Sequence, residues 1–203
     1  MIKAARIRQN SDDSLTRQID FISSLFSGSY LCKEYLSFLV ENLKISTRCE
    51  CVGIRVLKEN GVMPYEAFAG FTFEFWEHEN LLSTNTDQCG CIRVATGQPD
   101  ALDRQILTLN GSLWTNDLQG FGSSIPAEEC GRYRGKCIEC GFQSLAVVPV
   151  RHAETIIGLI HLADSRKNML PLETMALLES ASGAIGATIV RLIGSQKTTM
   201  EKR

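Results

Sequence analysis

Apolar residues recur at helical spacing near both ends of the chain. Intervals of three and four residues place such positions on one face of an amphipathic helix. The chain has three such apolar stripes. Ser14 precedes the first, and Gly28 separates the first from the second. Pro171 suits the first turn of the third helix, which continues to about Gly194. The stripes comprise Leu15, Ile19, Ile22 and Phe26; Leu31, Tyr35, Leu36, Leu39, Val40 and Leu43; and Met175, Leu178, Ile185, Ile189 and Leu192. We therefore predict helices that lead into and out of one domain.

Between these helices the apolar spacing changes to alternation, which is typical of β-strands. The pattern predicts strands at 49–57 and 65–71, joined at Asn60-Gly61, a dipeptide that favours hairpin turns. Alternation gives the first strand one face with Val52, Ile54 and Val56, and another with Cys49, Cys51, Gly53 and Arg55. We expect the apolar face to pack on the helices and the cysteine face to border a cavity.

The middle of the chain holds a long polar stretch. Residues 72–82 predict a short helix over the cavity face, after which residues 83–141 are rich in Gly, Asn, Asp and Cys, with a strand predicted at 107–109. Loops of this length are usually functional or disordered, and the cysteines and Trp114 favour function. Residues 143–150 and 155–163 then predict an antiparallel hairpin deep in the sheet.

These elements predict an α/β domain with a central antiparallel sheet of about six strands. Terminal helices would cover one face of the sheet, and residues 83–141 would close a cavity on the other. The predicted organisation is an N-terminal helical extension at 1–28, the domain at 29–194 and a polar tail at 195–203.

The composition is that of a globular protein without strong charge. Its 203 residues are 44% apolar, enough for a substantial core, and the formal net charge is −2. That charge gives no electrostatic attraction to nucleic acid or anionic membranes, so neither is expected as a partner. The N-terminus has no apolar signal core, and we expect no segment long enough to span a bilayer. These features predict a soluble cytoplasmic protein.

Cysteine is the residue type that most indicates chemistry. The chain has eight, of which six form the close pairs Cys49/Cys51, Cys89/Cys91 and Cys137/Cys140. Without a secretory leader, this usage indicates thiol chemistry or thiolate ligation rather than a disulfide scaffold.

The order of elements and four segments resemble a GAF domain. The segments are residues 51–56 (CVGIRV), 110–116 (NGSLWTN), 144–150 (SLAVVPV) and 157–164 (IGLIHLAD), and the similarity covers roughly residues 30–193. Within that superfamily the chain resembles a cysteine-containing subgroup of bacterial and archaeal sensory domains associated with histidine kinases. The resemblance implies a GAF-like, PAS-related fold that senses a small-molecule ligand or redox state. It also implies a histidine kinase or another signalling protein as partner.

In the pattern of that subgroup, the matching cysteines are Cys49, Cys89, Cys91 and Cys137, with Cys140 as an alternative to one of them. Four thiolates suit a tetrahedral zinc site or an iron–sulfur cluster. A reversible disulfide switch and separately packed free thiols are the other two interpretations. The residues alone leave all three open.

Four further residues are candidates for binding a ligand. Arg55 on the cavity face would suit an anionic ligand, although its long stem also lets the charge reach solvent. Trp114 and Asn116 would stack and hydrogen-bond in a pocket, or else fill and cap a loop. Ser144 opens the penultimate strand of the resembling pattern. His161, within an apolar strand, is more typical of a satisfied core histidine than of a ligand.

Two other classes of function stay open. Free methionine sulfoxide reductases are also GAF-like, and residues 91–97 (CIRVATG) resemble part of their cysteine pattern, but Gln98-Pro99-Asp100 stands where that family has its second cysteine. A structural dimerisation module is the other class, because the stripes of the terminal helices predict a homodimer through a helical bundle. The chain has no other catalytic motif of the common enzyme classes.

Overall fold

The computed structural model describes residues 32–126, 128–129 and 134–200. The predicted helix at 15–26 and the extension at 1–28 lie outside these residues. The helices are α1 (Cys32–Thr47), α2 (Phe73–Glu79), α3 (Gly90–Thr96), α4 (Leu118–Ser123), α5 (Lys136–Glu139) and α6 (Leu172–Met200). A short 3-10 helix, Leu102–Gln105, follows α3.

The strands are β1 (Cys51–Val56), β2 (Val62–Met63), β3 (Tyr65–Ala69), β4 (Leu82–Ser83), β5 (Leu113–Thr115), β6 (Ser144–His152) and β7 (Thr155–Asp164). Five of them form one antiparallel sheet in the order β3-β1-β7-β6-β5, and β2 pairs with β4 in a separate ribbon. The predicted α/β class and antiparallel sheet are confirmed. Within the described residues the main sheet has five strands instead of about six.

The strand predicted at 107–109 is wrong. Leu107 makes a single bridge to Leu113, and the chain turns between them because the Thr108 N–H donates to the Ser112 carbonyl oxygen at 2.8 Å. The strand of this region is β5, which pairs with β6 from Leu113 to Thr115.

Helices α1 and α6 pack on the same face of the sheet, as predicted. The apolar side chains of β1 lie in this core, namely Val52, Ile54 and Val56. Cys51 lies on the opposite face with Tyr65 and Phe71. The alternation therefore predicts both faces of β1 correctly.

Cys49 departs from that alternation. Strand β1 begins only at Cys51, and Arg48 has a left-handed backbone with φ 58°. This turn places Cys49 in the core beneath the helices, where it is 2% exposed. The expectation that Cys49 shares the cavity face with Cys51 is wrong.

At Gly186 the main chain of helix α6 lies close to the sheet. A Cβ at this position would lie 1.9 Å from the carbonyl oxygen of Arg151, so only glycine lets the helix main chain reach the β6–β7 hairpin. The outward side of α6 carries an exposed strip of mostly small residues at intervals of three and four: Ala176, Ser180, Gly183, Ala187, Val190 and Gly194. We call this set the outer strip.

The segment Leu172–Ser195 of α6 is long and apolar enough to cross a membrane by length and composition alone. The expectation that no segment reaches this length is therefore wrong. The same helix buries Met175, Leu178, Ile185 and Ile189 against the sheet, as a core helix does. Its composition is therefore only a weak indication of a membrane span.

Candidate functional site

A cavity of about 60 Å³ lies between the second face of the sheet and the helices of residues 83–141. Its floor is formed by β5 and β6, and α3, α4 and α5 cover it, in agreement with the cavity predicted on this face. The wall is mainly apolar but includes three thiols and three charged side chains: Cys89, Cys91, Cys137, Glu79, Arg134 and Lys136. We call this the thiol cavity.

Cys89 and Cys91 meet at the start of α3. Cys89 has an extended backbone (φ −153°, ψ 156°) as the residue before the helix, and Cys91 lies in the first turn, 5% exposed. Hydrogen bonding with the Cys91 side chain and main-chain N–H lowers the pKa of Cys89 to about 7, although burial opposes the shift. The interaction between the two side chains, together with burial, raises the pKa of Cys91 well above its usual value. Because Cys89 is partly exposed, the pair presents an accessible thiolate beside a protonated thiol.

Cys137 contributes the third thiol, from α5 on the opposite side of the cavity. Burial raises its pKa well above the usual value, and the charge of Cys89 raises it further. Cys137 is therefore a neutral thiol near neutral pH. Cys140, at the end of α5, is exposed and is not among the residues that line the cavity.

Arg134 holds one side of the thiol cavity through three contacts. Its Nε lies 3.0 Å from Glu79 Oε1, its Nη1 lies 2.9 Å from Asp87 Oδ1, and its Nη2 donates to the His78 carbonyl oxygen at 2.9 Å. The Glu79 side chain is only 5% exposed but that of Arg134 is 34% exposed, so the pair is partly desolvated. Sequence reasoning missed both residues, because they are 55 positions apart and neither belongs to a motif.

The structure brings Cys89, Cys91 and Cys137 to one cavity, whereas Cys49 lies on the other side of the sheet. A four-cysteine zinc or iron–sulfur site that includes Cys49 does not fit this arrangement. Within the ranges that the structure describes, no group of three or more His, Cys, Asp or Glu side chains is placed to hold a metal ion.

Arg55 is fully buried on the cavity face, at 1% exposure. Its Nη1 donates to the carbonyl oxygens of Met63 at 2.8 Å and Asn80 at 3.0 Å, and its Nη2 donates to that of Glu79 at 2.5 Å. The guanidinium also lies 3.6 Å from the centre of the Tyr65 ring, a cation–π contact. Arg55 thus fastens the end of α2 to β1, and its charge faces main-chain oxygens.

The other predicted ligand-binding residues hold the chain that leads into α6. Trp114 Nε1 and Asn116 Nδ2 both donate to the Leu170 carbonyl oxygen, at 2.9 and 2.8 Å, and the Leu170 N–H donates to Asn116 Oδ1 at 3.0 Å. Ser144 Oγ donates to the Arg166 carbonyl oxygen at 2.7 Å and accepts from the Met169 N–H at 3.1 Å. In this arrangement their polar atoms bind main-chain groups.

His161 is buried in the core as predicted, but its ring is only half satisfied, because Nε2 has no hydrogen-bond partner among the described residues. Its Nδ1 lies 2.6 Å from Tyr65 Oη, and its ring contacts Phe71 and Phe75. Burial, with the nearby Arg55 charge, lowers the pKa of His161 to about 3, so the ring is neutral at physiological pH.

Comparison with known sequences finds no match to any family model or curated protein. The fold is nevertheless close to solved structures. The GAF domain of a phosphoenolpyruvate-protein phosphotransferase from Acinetobacter superposes with a TM-score of 0.64 at 12% identity, covering 91% of this chain and 97% of that one. The chain has a GAF-like fold. At this identity the similarity shows the fold alone.

Free methionine-R-sulfoxide reductases share the same fold. The type II enzyme from Thermoplasma acidophilum has a TM-score of 0.58 at 20% identity, with 79% of this chain and 94% of that one covered. The enzyme from Neisseria meningitidis, solved with its substrate, has a TM-score of 0.62 at 12% identity, with 88% and 89% covered. The same fold therefore occurs in a GAF domain of a phosphotransferase and in methionine sulfoxide reductases, so the fold alone does not determine the function.

Proposed function

We propose that this chain is a sensory GAF-like domain whose responsive centre is the thiol pair Cys89 and Cys91, and that it acts in the cytoplasm on a signalling partner such as a histidine kinase. The observation that carries the proposal is that Cys89 and Cys91 lie together at the start of α3 and both line the thiol cavity. Redox-sensing cysteines are accessible, have a low pKa and stand beside a second thiol that resolves the oxidised form.

The proposed reaction is a two-electron oxidation by a small hydroperoxide. The Cys89 thiolate attacks the peroxide, takes one oxygen to form a sulfenic acid, and releases the corresponding alcohol or water. The Cys91 thiol then attacks the Cys89 sulfur, forming a disulfide and releasing water that carries the Cys91 proton. A cellular thiol reductant returns both residues to the thiol form.

Alkylation of each cysteine, measured by peptide mass spectrometry across a pH series, tests the reactive thiol. The Cys89 rate should be half-maximal near pH 7, the pKa that the Cys91 hydrogen bond produces. It should fall roughly tenfold below its plateau one pH unit lower, as the thiolate is protonated. Cys140 is the matched control, because it is exposed and burial raises its pKa. A Cys89 rate that follows that of Cys140 across the series would contradict the proposal.

Peroxide treatment tests the resolving thiol. The wild-type protein should lose two thiols and form the Cys89–Cys91 disulfide, and Cys140→Ser should behave in the same way. Cys91→Ser should stop at a Cys89 sulfenic acid that dimedone traps, and Cys89→Ser should not react. A disulfide that still forms in Cys89→Ser would overturn the assignment. Reduction of free methionine sulfoxide by the wild-type protein with thioredoxin and NADPH would instead assign the chain to the thiol-enzyme class.

We also infer a homodimer through the terminal helices. The support is the outer strip of α6, where exposed residues recur at the intervals of a helix–helix seam. Light scattering at micromolar concentration should therefore give twice the chain mass. A monomer under these conditions would remove this inference without affecting the thiol chemistry.

A further inference from the structure

Residues 102–110 connect the thiol-bearing helix α3 to the C-terminal helix α6, and we call them the strap. The strap contains the 3-10 helix and the turn before β5. Each of its ends is attached by side-chain hydrogen bonds to one of these two helices.

The first attachment is a buried ion pair between α3 and the strap. Arg93, two residues after Cys91, places Nε 2.5 Å from Asp103 Oδ2 and Nη2 2.8 Å from Asp103 Oδ1. The Asp103 side chain is completely buried and that of Arg93 is 13% exposed. Breaking this bidentate pair would leave buried charges that water cannot easily solvate. A displacement of Arg93 in α3 should therefore move Asp103 and the start of the strap with it.

The second attachment joins the strap to α6 through one glutamate. Thr108 Oγ1 donates to Glu179 Oε1 at 2.5 Å, and Asn110 Nδ2 donates to Glu179 Oε2 at 2.7 Å. Between the strap and the start of α6 runs a groove lined by Leu107, Leu109, Leu172 and Met175. Thr108, Asn110 and Glu179 line the same groove, so their hydrogen bonds join the strap to α6 across it.

We propose that the strap transmits the oxidation state of Cys89 and Cys91 to the first turns of α6. This inference rests on the proposed function. A disulfide brings its sulfur atoms to about 2.05 Å, much closer than a thiol hydrogen bond, so the first turn of α3 has to rearrange. Arg93 lies in the following turn, and its displacement moves Asp103, the strap and finally the two donors that hold Glu179. The two states are therefore α3 with free thiols and α3 with its first turn distorted by the disulfide.

Amide hydrogen exchange of the full chain, reduced and peroxide-oxidised, tests the transmission. In the wild-type protein, oxidation should raise exchange in residues 102–110 and 172–183 by about fivefold or more. Glu179→Ala should keep the change in 102–110 and lose it in 172–183. Glu173→Ala, an exposed glutamate on the same helix, is the matched control and should respond like the wild-type protein. The proposed transmission would be contradicted if the increase in exchange at 172–183 persisted in Glu179→Ala. It would also be contradicted if the oxidised wild-type protein showed no increase there.

A second variant tests the link without oxidation. Arg93→Met combined with Asp103→Leu removes both buried charges at similar volume, which buried pairs tolerate better than loss of one partner. In the reduced protein this change should already raise exchange at 172–183, and peroxide should add nothing there although the disulfide forms. Unchanged exchange at 172–183 would contradict the link. Failure of the wild-type protein to form the disulfide would instead contradict the proposed function, so the two failures are distinguishable.

Discussion

Asp103→Ala should lower the free energy of unfolding by about 3–5 kcal/mol, because it removes a completely buried carboxylate that forms a bidentate ion pair with the Arg93 guanidinium. The Asp103 carboxylate is completely buried, binds two Arg93 nitrogens and also accepts the Asp100 N–H at 2.7 Å. Urea unfolding followed by circular dichroism measures the loss as a lower midpoint at an unchanged slope.

The control for this prediction is an ion pair that differs mainly in its exposure. Glu66 pairs with Lys58, and their side chains are 30% and 44% exposed. Glu66→Ala should therefore cost no more than about 1 kcal/mol. Equal losses in Asp103→Ala and Glu66→Ala would show that burial of the Arg93–Asp103 pair does not determine its contribution.

In the isolated monomer, Gly186→Ala should destabilise the domain by about 1–3 kcal/mol or more, whereas Gly183→Ala should be neutral or stabilising by about 0.5–1 kcal/mol. Both positions lie in α6 and gain the same helix propensity from alanine. A Cβ at 186 would meet the Arg151 carbonyl oxygen at 1.9 Å, whereas one at 183 would have no atom within 4 Å. The sign of the difference in thermal unfolding midpoint between the two variants checks the prediction. Similar midpoints would mean that α6 does not rest on the β6–β7 hairpin at Gly186.

The sequence predicts the regular elements well because their signals are local. Alternation sorts Val52, Ile54 and Val56 from Cys51 and Arg55, and helical spacing finds α1 and α6. The wrong prediction for Cys49 has a local cause: Arg48 adopts a left-handed backbone. Because this conformation is usual for glycine and uncommon for arginine, the sequence does not indicate it. One such residue before a strand is enough to reverse the side on which the preceding side chain lies.

The sequence identifies the cysteines of the candidate site but not the residues that surround them. The sequence groups Cys49, Cys89, Cys91 and Cys137, and the structure places three of them in one cavity and Cys49 on the other side of the sheet. Arg134 and Glu79 carry no motif and meet only through the tertiary fold. For Arg55 the sequence leaves a buried and a solvent-reaching side chain open, and the structure buries it with three main-chain carbonyl groups as acceptors for its Nη1 and Nη2 donors. These acceptors come from Met63, Glu79 and Asn80, which no residue pattern links to Arg55.

The outer strip of α6 has a consequence for anything that lies along it. With glycine at 183 and 194 and alanine at 176 and 187, this side of the helix has few side chains to keep a neighbour at a distance. A second helix placed there would approach to the lower end of the usual 8–10 Å axis separation and would meet peptide groups directly. If α6 rotated by a fraction of a turn about its axis, the longer side chains beside the outer strip would face the second helix instead.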